Sequence, residues 1–590
     1  MVVNAEDLFE EFSPFGVSWE NEEITDKLLE LCSTYGLDAS DMVDEWVAFS
    51  TSASTIISLE NLLQFERSKL LKKVKKVPRT PIGKIKKSVY NSPQAGLDED
   101  VAEELFDKYS TPATKKSHKR QHTPDTGPVN KRLGAIGGSP VVPFSPNSFS
   151  PAGAETSEEY ASRPNSGKVE CSHGGRDIQW KNTRGGTPPT ITSNNDEYCL
   201  DKGFKFMFQK FADQVDILNY MIEEMGLFMR EQYKLSDDEQ FSHVGLPAQD
   251  EVTVCGRICC DSVGKLNSKS VVLQGSQETS SGRTIPLDLT ELQQYSLFPG
   301  QVVVMNGINN IGNRLVVKKL YEPIMPPPIG LENVVGPLNV MVACGPFTTS
   351  TSLAYEPLVD LIKVIQEDSP DVCIFLGPFI DCKNKLVQDF TDSTYDEMFA
   401  NQIKQIVHAT ERCNTQLIFV PSSRDVHHDF IYPQPPFLSG DDSTRVHMVS
   451  DPCTFSINGL IIGLTSTDVL LHLGGEEISV FPPGSTDRLT RLCKHIISQR
   501  SYYPLYPPGE DVNLEFETFE NHARLPSVPH ILLVPSDLRY FIKEVSKCCC
   551  INPGRLAKGK SGGTYARFYL PHVDSSKPLF QQLSAQVLKI

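Results

Sequence analysis

Between residues 77 and 200 the apolar residues lose every helical or strand period, and Ser, Thr, Pro, Gly and Asn take over. A stretch of that composition cannot bury enough apolar surface to offset the entropy of ordering it. One continuous core is thereby excluded. Folding is expected separately on either side of residues 77–200, which read as a disordered tether rich in Ser/Thr-Pro and basic residues. The chain of 590 residues with 42 prolines has room for roughly three to four domains and for a part that never packs.

The tether carries its own signals. Eight Ser/Thr-Pro dipeptides, at Thr80, Ser92, Thr111, Thr123, Ser139, Ser145, Ser150 and Thr187, are candidate targets of proline-directed kinases. Each phosphate would add about −1.5 to −2 charge. Basic clusters at Lys115 and Lys116, Lys119 and Arg120, and Lys131 and Arg132 suit the acidic grooves of nuclear import receptors, so a nuclear location is expected. The charge balance of 56 Lys and Arg against 74 Asp and Glu gives −18, which argues against a surface devoted to duplex nucleic acid. A local reversal runs from Arg67 to Lys87, with ten basic residues and no acidic one, available for import or weak DNA contact.

Fifteen cysteines are scattered without paired CxxC knuckles, so no disulfide framework is expected. The start, MVVNAEDLFEEF, lacks a signal-peptide order, and no apolar run approaches about 18 residues. The expectation is an intracellular, reduced, soluble protein with no membrane contact.

Residues 1–76 read as a small N-terminal helical docking domain. Its stripes are Leu8, Phe9 and Phe12; Ile24, Leu28, Leu31 and Cys32; Val43, Trp46 and Val47; and Leu59, Leu62 and Leu63. Residues 201–240 read as a connecting helix, with Phe204, Phe208, Phe211 and Val215 at spacings of three to four, then Leu218, Met221, Ile222 and Met225. Residues 241–325 hold five strand-like runs, EVTVCGRICC, SKSVVLQG, RTIPLDL, GQVVVMNGIN and NRLVVKKLYE, which suit an OB-fold β-barrel. An OB barrel that grips single strands needs aromatic platforms among basic residues. Only Lys318, Lys319 and Tyr321 qualify, so a structural or protein-binding barrel is favoured.

Residues 326–590 alternate apolar strands (NVMVACG, DVCIFLG, TQLIFVP, GLIIGLTS, HILLVP) with helical stretches such as PLVDLIKVIQ and MFANQIKQIVHA. The layout is similar to a calcineurin-like phosphoesterase, in which two cations about 3.5–4 Å apart are held by Asp, His and Asn at strand ends. Here the ligand types are missing. ACGPF puts Cys344 where an Asp-x-His pair would stand; LGPFID puts Pro378 where an Asp would, leaving Asp381 alone; VPSSRDVHH puts Ser422 and Arg424 where Gly-Asn-His-Asp would run. Asp425, His427 and His428 are tempting as catalytic groups, but read better as hydrogen-bonded structural side chains. No HExxH helix is present. Cys548 to Cys550 read as core strand. The loops Tyr432 to Phe437 and Tyr502 to Pro508 stand open as partner interface or as ordinary packing. The expected fold class is multidomain α+β, ending in a catalytically inactive phosphoesterase domain without cofactor.

The order of these parts, with SLFPGQVVVMNGIN, VACGPFTTS, PDVCIFLGPFID, FVPSSRDVHHDFIYPQPPF, INGLIIGLTSTD, QRSYYPLYPP and INPGRLAKGKSGGTYARFYL, resembles the B-subunit family of replicative DNA polymerases, in its polymerase α-primase branch. The resemblance implies a non-catalytic regulatory scaffold that holds the C-terminal zinc-binding region of the polymerase catalytic subunit and connects it to primase, for initiation of replication and lagging-strand priming. It also implies a head that meets replication factors, including viral large T antigen, a linker phosphorylated by a cyclin-dependent kinase, and weak or indirect DNA contact. The alternatives are an active metal-dependent phosphodiesterase or exonuclease, and the B subunit of another replicative polymerase.

Overall fold

The computed structural model describes residues 22–35, 42, 57, 61–62, 158–175, 178, 180, 188–193, 200, 203–235 and 241–590, apart from 263, 391, 439–442 and 483–486. The eight Ser/Thr-Pro sites, the three basic clusters and the run from Arg67 to Lys87 all lie outside the described residues. The chain divides into two compact units, Met1–Lys131 and Arg132–Ile590.

In the first unit, α1 (Glu22–Tyr35) turns Ile24, Leu28, Leu31 and Cys32 to one buried face, as their i, i+4, i+7, i+8 spacing requires. Met42, Ile57 and Leu62 are buried as well. Leu8, Phe9, Phe12, Val43, Trp46, Val47, Leu59 and Leu63 lie outside the described residues.

The second unit has a helical turn (Glu158–Ala161) and then two strands inside the expected tether, β1 (Val169–His173) and β2 (Ile191–Ser193). They correct the reading of residues 77–200 as uniformly unfolded. β1 pairs antiparallel with the last strand of the chain, and β2 with a strand near residue 455. Neither has a local partner, so no local periodicity announces them.

Helix α2 (Phe211–Tyr233) follows. Its buried residues are Ile222, Met225, Gly226 and Met229, whereas Phe208, Phe211 and Val215 are exposed. The helix therefore starts later than the aromatic spacing suggests, and that spacing marks an outer face. The strands β3 (Ala248–Cys260), β4 (Val271–Gln274), β5 (Thr284–Asp288), β7 (Val302–Asn309) and β8 (Leu315–Tyr321) close a barrel in the order β3-β4-β5-β8-β7; the short β6 (Tyr295–Leu297) lies outside it. Strand alternation divides the labour: Val303 and Met305 fill the barrel, while Val302 and Val304 meet Met225 and Met229 of α2. Gly226 lets the helix approach, since a Cβ there would lie 2.9 Å from the Cys255 sulfur.

The remainder is a four-layer sandwich. Its elements, in chain order, are β9 (Leu338–Cys344), α3 (Glu356–Asp368), β10 (Val372–Leu376), α4 (Tyr395–Ala409), β11 (Gln416–Val420), β12 (Val446–Met448), β13 (Cys453–Ile457), β14 (Leu460–Leu464), α5 (Val469–Glu476), β15 (Ile478–Val480), α6 (Arg488–Ser498), α7 (Phe516–His522), β16 (Ile531–Leu533), β17 (Phe541–Val545), β18 (Cys548–Asn552), β19 (Ala557–Lys558), β20 (Ser561–Gly562), β21 (Thr564–Leu570) and β22 (Ser584–Lys589). One sheet runs β1-β22-β21-β9-β10-β11-β12 and the other β17-β18-β16-β14-β13-β2. Val340, Val342, Ile374 and Ile418 face Ile462, Leu533 and Ile551 in the core between the sheets. The alternate residues Met341, Cys373, Phe375 and Phe419 pack under α3 and α4. Leu532, Cys548 and Cys550 pack under α5 and α6. Strands buried on both faces read as the continuous apolar runs seen in the sequence. The cysteine run is core strand, with its thiols raised by burial or by contacts among Cys493, Cys548 and Cys550.

Candidate functional site at the strand ends

Strands β9, β10 and β11 are parallel and in register, with Leu376 opposite both Cys344 and Val420. The loops that follow them therefore leave the sheet side by side, at the carboxyl ends where open α/β sheets receive ligands. Residues Cys344, Pro378, Asp381, Ser422, Arg424 and Asp425 are brought together here.

Asp381 is not alone. Its two oxygens accept from the guanidinium of Arg424, from Nε at 3.1 Å and from Nη2, with both side chains largely buried. Asp425 is buried and accepts backbone N–H groups from Phe379 (2.5 Å), Ile380 (3.0 Å) and Ser422 (3.1 Å). Burial pushes its carboxyl up to about 7, with the Asp381 charge adding, against the pull of those three donors. Asp425 thus staples the second loop to the third. The packing there is tight, because a Cβ on Gly377 would come within 2.4 Å of the Asp425 carboxylate.

Cys344 is fully buried; its sulfur accepts from Nη1 of Arg555 at 3.0 Å and its thiol reaches the carbonyl of Gly377 at 3.3 Å. Burial raises that thiol to about 11. Arg555 is a residue that sequence reasoning missed, although it sits in the INPGRL segment. The buried Asn552 shapes that turn by accepting from Ser536 N–H and Gly554 N–H, at 2.9 and 2.8 Å. Arg555 also pairs with Asp468 at 3.2 Å and Asp537 at 3.4 Å. Burial works against its charge, and contact with Cys344, Asp468 and Asp537 more than offsets that.

Two guanidinium groups therefore stand beside a cleft of about 200 Å³, whose wall includes Thr348, Asn384 and Asp537. Among the described residues, no three His, Cys, Asp or Glu side chains gather in a way that could hold a metal ion. The carboxylates at these strand ends are engaged: Asp381 by Arg424, Asp425 by backbone N–H groups and Asp537 by Arg555.

His427 and His428 stand apart from this cleft. His427 is stacked between Phe399 (centroids 4.2 Å) and Phe437 (5.3 Å), and both its ring nitrogens are buried without a hydrogen-bond partner. Burial, with His428 adding, lowers it to about 3, so it is a neutral aromatic plate, not the hydrogen-bonded group the sequence suggested. His428 donates to the Pro435 carbonyl at 2.7 Å. Of the two readings left open for the aromatic-proline loops, packing holds for four rings: Tyr432, Phe437, Tyr502 and Tyr503 are buried in the domain itself. In the barrel, Lys318 pairs with Glu251 at 2.5 Å, and Lys319 lies over the Tyr321 ring, which abuts Tyr233 of α2. All three candidate platform residues are committed within the chain.

The chain matches three families in order. Residues 6–73 match the N-terminal family of the DNA polymerase alpha B subunit, residues 215–323 its OB-domain family, and residues 340–543 the family of the DNA polymerase alpha/epsilon B subunit. The B subunit of DNA polymerase alpha from Mus musculus is 42% identical over 615 aligned positions, covering 100% of both chains. That of Drosophila melanogaster is 30% identical, covering 99% of this chain and 100% of its own, and that of Saccharomyces cerevisiae 27%, covering 62% and 60%. With a matched head, barrel and strand-end domain in one order, and identity that runs the full length of the Mus musculus and Drosophila melanogaster relatives, the chain belongs to the family of DNA polymerase alpha B subunits.

Proposed function

We propose that this chain is a non-catalytic scaffold of the DNA polymerase α-primase complex, and that its sandwich is a phosphoesterase-like domain that has lost its chemistry. The carrying observation is the bidentate Arg424–Asp381 pair at the strand ends. A divalent cation needs converging, unshared carboxylate or imidazole donors; here a guanidinium occupies the carboxylate, and a second, Arg555, lies on the Cys344 sulfur.

In this reading the barrel and sandwich hold the C-terminal zinc-binding region of the polymerase catalytic subunit, and through it primase. The head contacts replication factors or viral large T antigen. The Ser/Thr-Pro sites receive a cyclin-dependent kinase, and the basic clusters at Lys115 to Arg132 direct the chain to the nucleus. The family membership supports the complex; the partners and sites are our assignment.

Co-expression of the full chain with the C-terminal segment of a polymerase α catalytic subunit tests it by gel filtration and metal analysis of each separated chain. The expected result is a one-to-one complex with all zinc on the partner. Failure to associate, together with transition metal on this chain and Mn²⁺-dependent cleavage of a nucleotide diester, would replace the scaffold with an active phosphodiesterase.

A further inference from the structure

The strand-end cleft is lined by Lys383, Arg424, Arg555 and Lys558 against only Asp381 and Asp537. Its wall is therefore net positive, on a chain whose overall charge is −18. Behind the lining, Asp468 pairs with Arg555 and Asp511 with Lys383, so four carboxylates balance the four cations, yet they do not use up the donors that face the cleft. Arg424 spends Nε and Nη2 on Asp381, and its Nη1 makes no hydrogen bond among the described residues. The Lys558 ammonium has no ion-pair partner among them either, and the Lys383–Asp511 pair at 3.2 Å is solvent-exposed and hence weak. Thr348, only 4% exposed, accepts from Asn384 at 3.3 Å and keeps its own hydroxyl proton unassigned.

Free N–H and O–H donors and ammonium groups thus line one concave space from four separate segments of the chain. The low-dielectric walls of a small cleft concentrate the field of such charges. The residue types that deny the site a metal make it complementary to an anion. A groove that followed a diester backbone would string its cations along an extended surface, whereas these line one cleft of about 200 Å³.

We propose that this cleft binds a terminal phosphate monoester, that of a nucleotide or of a DNA 5′ end, through Arg424, Lys383, Lys558 and Thr348, with Arg555 supplying charge from the floor. Only the statement that the phosphate is held and not cleaved rests on the non-catalytic reading above.

The test is calorimetry and ³¹P NMR on the full chain, in chelator and low salt, with thymidine monophosphate, inorganic phosphate, and oligothymidylate with and without a 5′ phosphate. Saturable binding of thymidine monophosphate with a dissociation constant at or below about the millimolar range is expected. The 5′-phosphorylated oligonucleotide should bind and its unphosphorylated counterpart should not; a preference for either phosphorylated probe identifies the source. K558E and K383E reverse exposed charges that the fold does not need, and each should weaken binding about tenfold with the unliganded melting temperature unchanged. Absence of binding at about 10 mM, or binding that neither variant alters, would overturn the site. Tighter binding of a phosphoserine peptide than of either nucleotide probe would overturn the nucleotide assignment. Normal binding accompanied by Mn²⁺-dependent hydrolysis would overturn the non-catalytic reading and leave the anion site standing.

Discussion

Arg424 shows how much one side chain can decide. Its type is legible in the sequence as a positive charge at a cation's place, but its partner is not, because Asp381 lies 43 residues away and meets it only through the loop geometry. Replacing Arg424 by Gln strands a buried carboxylate. We expect a loss of about 2–3 kcal/mol in urea unfolding, largely recovered in the double variant with Asp381→Asn. Glu477 is a second case. Burial resists its ionisation, but His495, Arg491 and Ser296 donate to it and hold the carboxyl at about 2 against an ordinary 4.5. A carboxyl lowered on folding contributes stability that is full above pH 4.5 and is lost as pH falls through 2. The wild-type unfolding free energy should therefore drop over that window, by about 2 kcal/mol from this group, and Glu477→Gln should flatten the drop.

Elements are legible where their pattern is complete within a few residues. β9, β10 and β11 announce themselves as apolar runs ending in Gly-Pro or Pro-Ser, and Thr394 caps α4 with Glu397 three residues on. β1 and β2 are illegible because what makes them strands is the edge offered by β22 and β13, hundreds of residues later. A chain beginning at residue 200 should consequently melt lower and aggregate more than one beginning at 158, by differential scanning fluorimetry and light scattering, since β22 and β13 then become uncovered edge strands. Helix α2 misleads in the opposite way, because a regular aromatic spacing is equally compatible with an outer face. Met229→Ala, at a fully buried position, should cost about 2–4 kcal/mol, whereas Phe211→Ala, 87% exposed, should stay within about 0.5 kcal/mol.

At the scale of the whole Arg132–Ile590 unit, barrel and sandwich are sewn together. β6 pairs with β15, Ser296 donates to Glu477, and the Gln499 side chain exchanges hydrogen bonds with the backbone of Val302 at 2.8 and 3.1 Å. Buried polar links of this kind make neighbouring domains unfold together. A single calorimetric transition is expected for residues 158–590, splitting into two when Gln499→Ala and Glu477→Gln are combined. The sequence by itself determined the break in periodicity after the head, the five barrel strands, the apolar strand runs, and the ligand types absent from their ends. All of these are local patterns, because side-chain alternation and turn chemistry are properties of neighbours in the chain. Only the tertiary structure decided that the strand runs divide between two facing sheets, that β1 and β2 join them, and that Arg555 crosses 211 positions to reach Cys344. Those outcomes depend on crossover paths and on which charges meet through space, and electrostatic pairing acts over ångströms of separation whatever the distance along the chain.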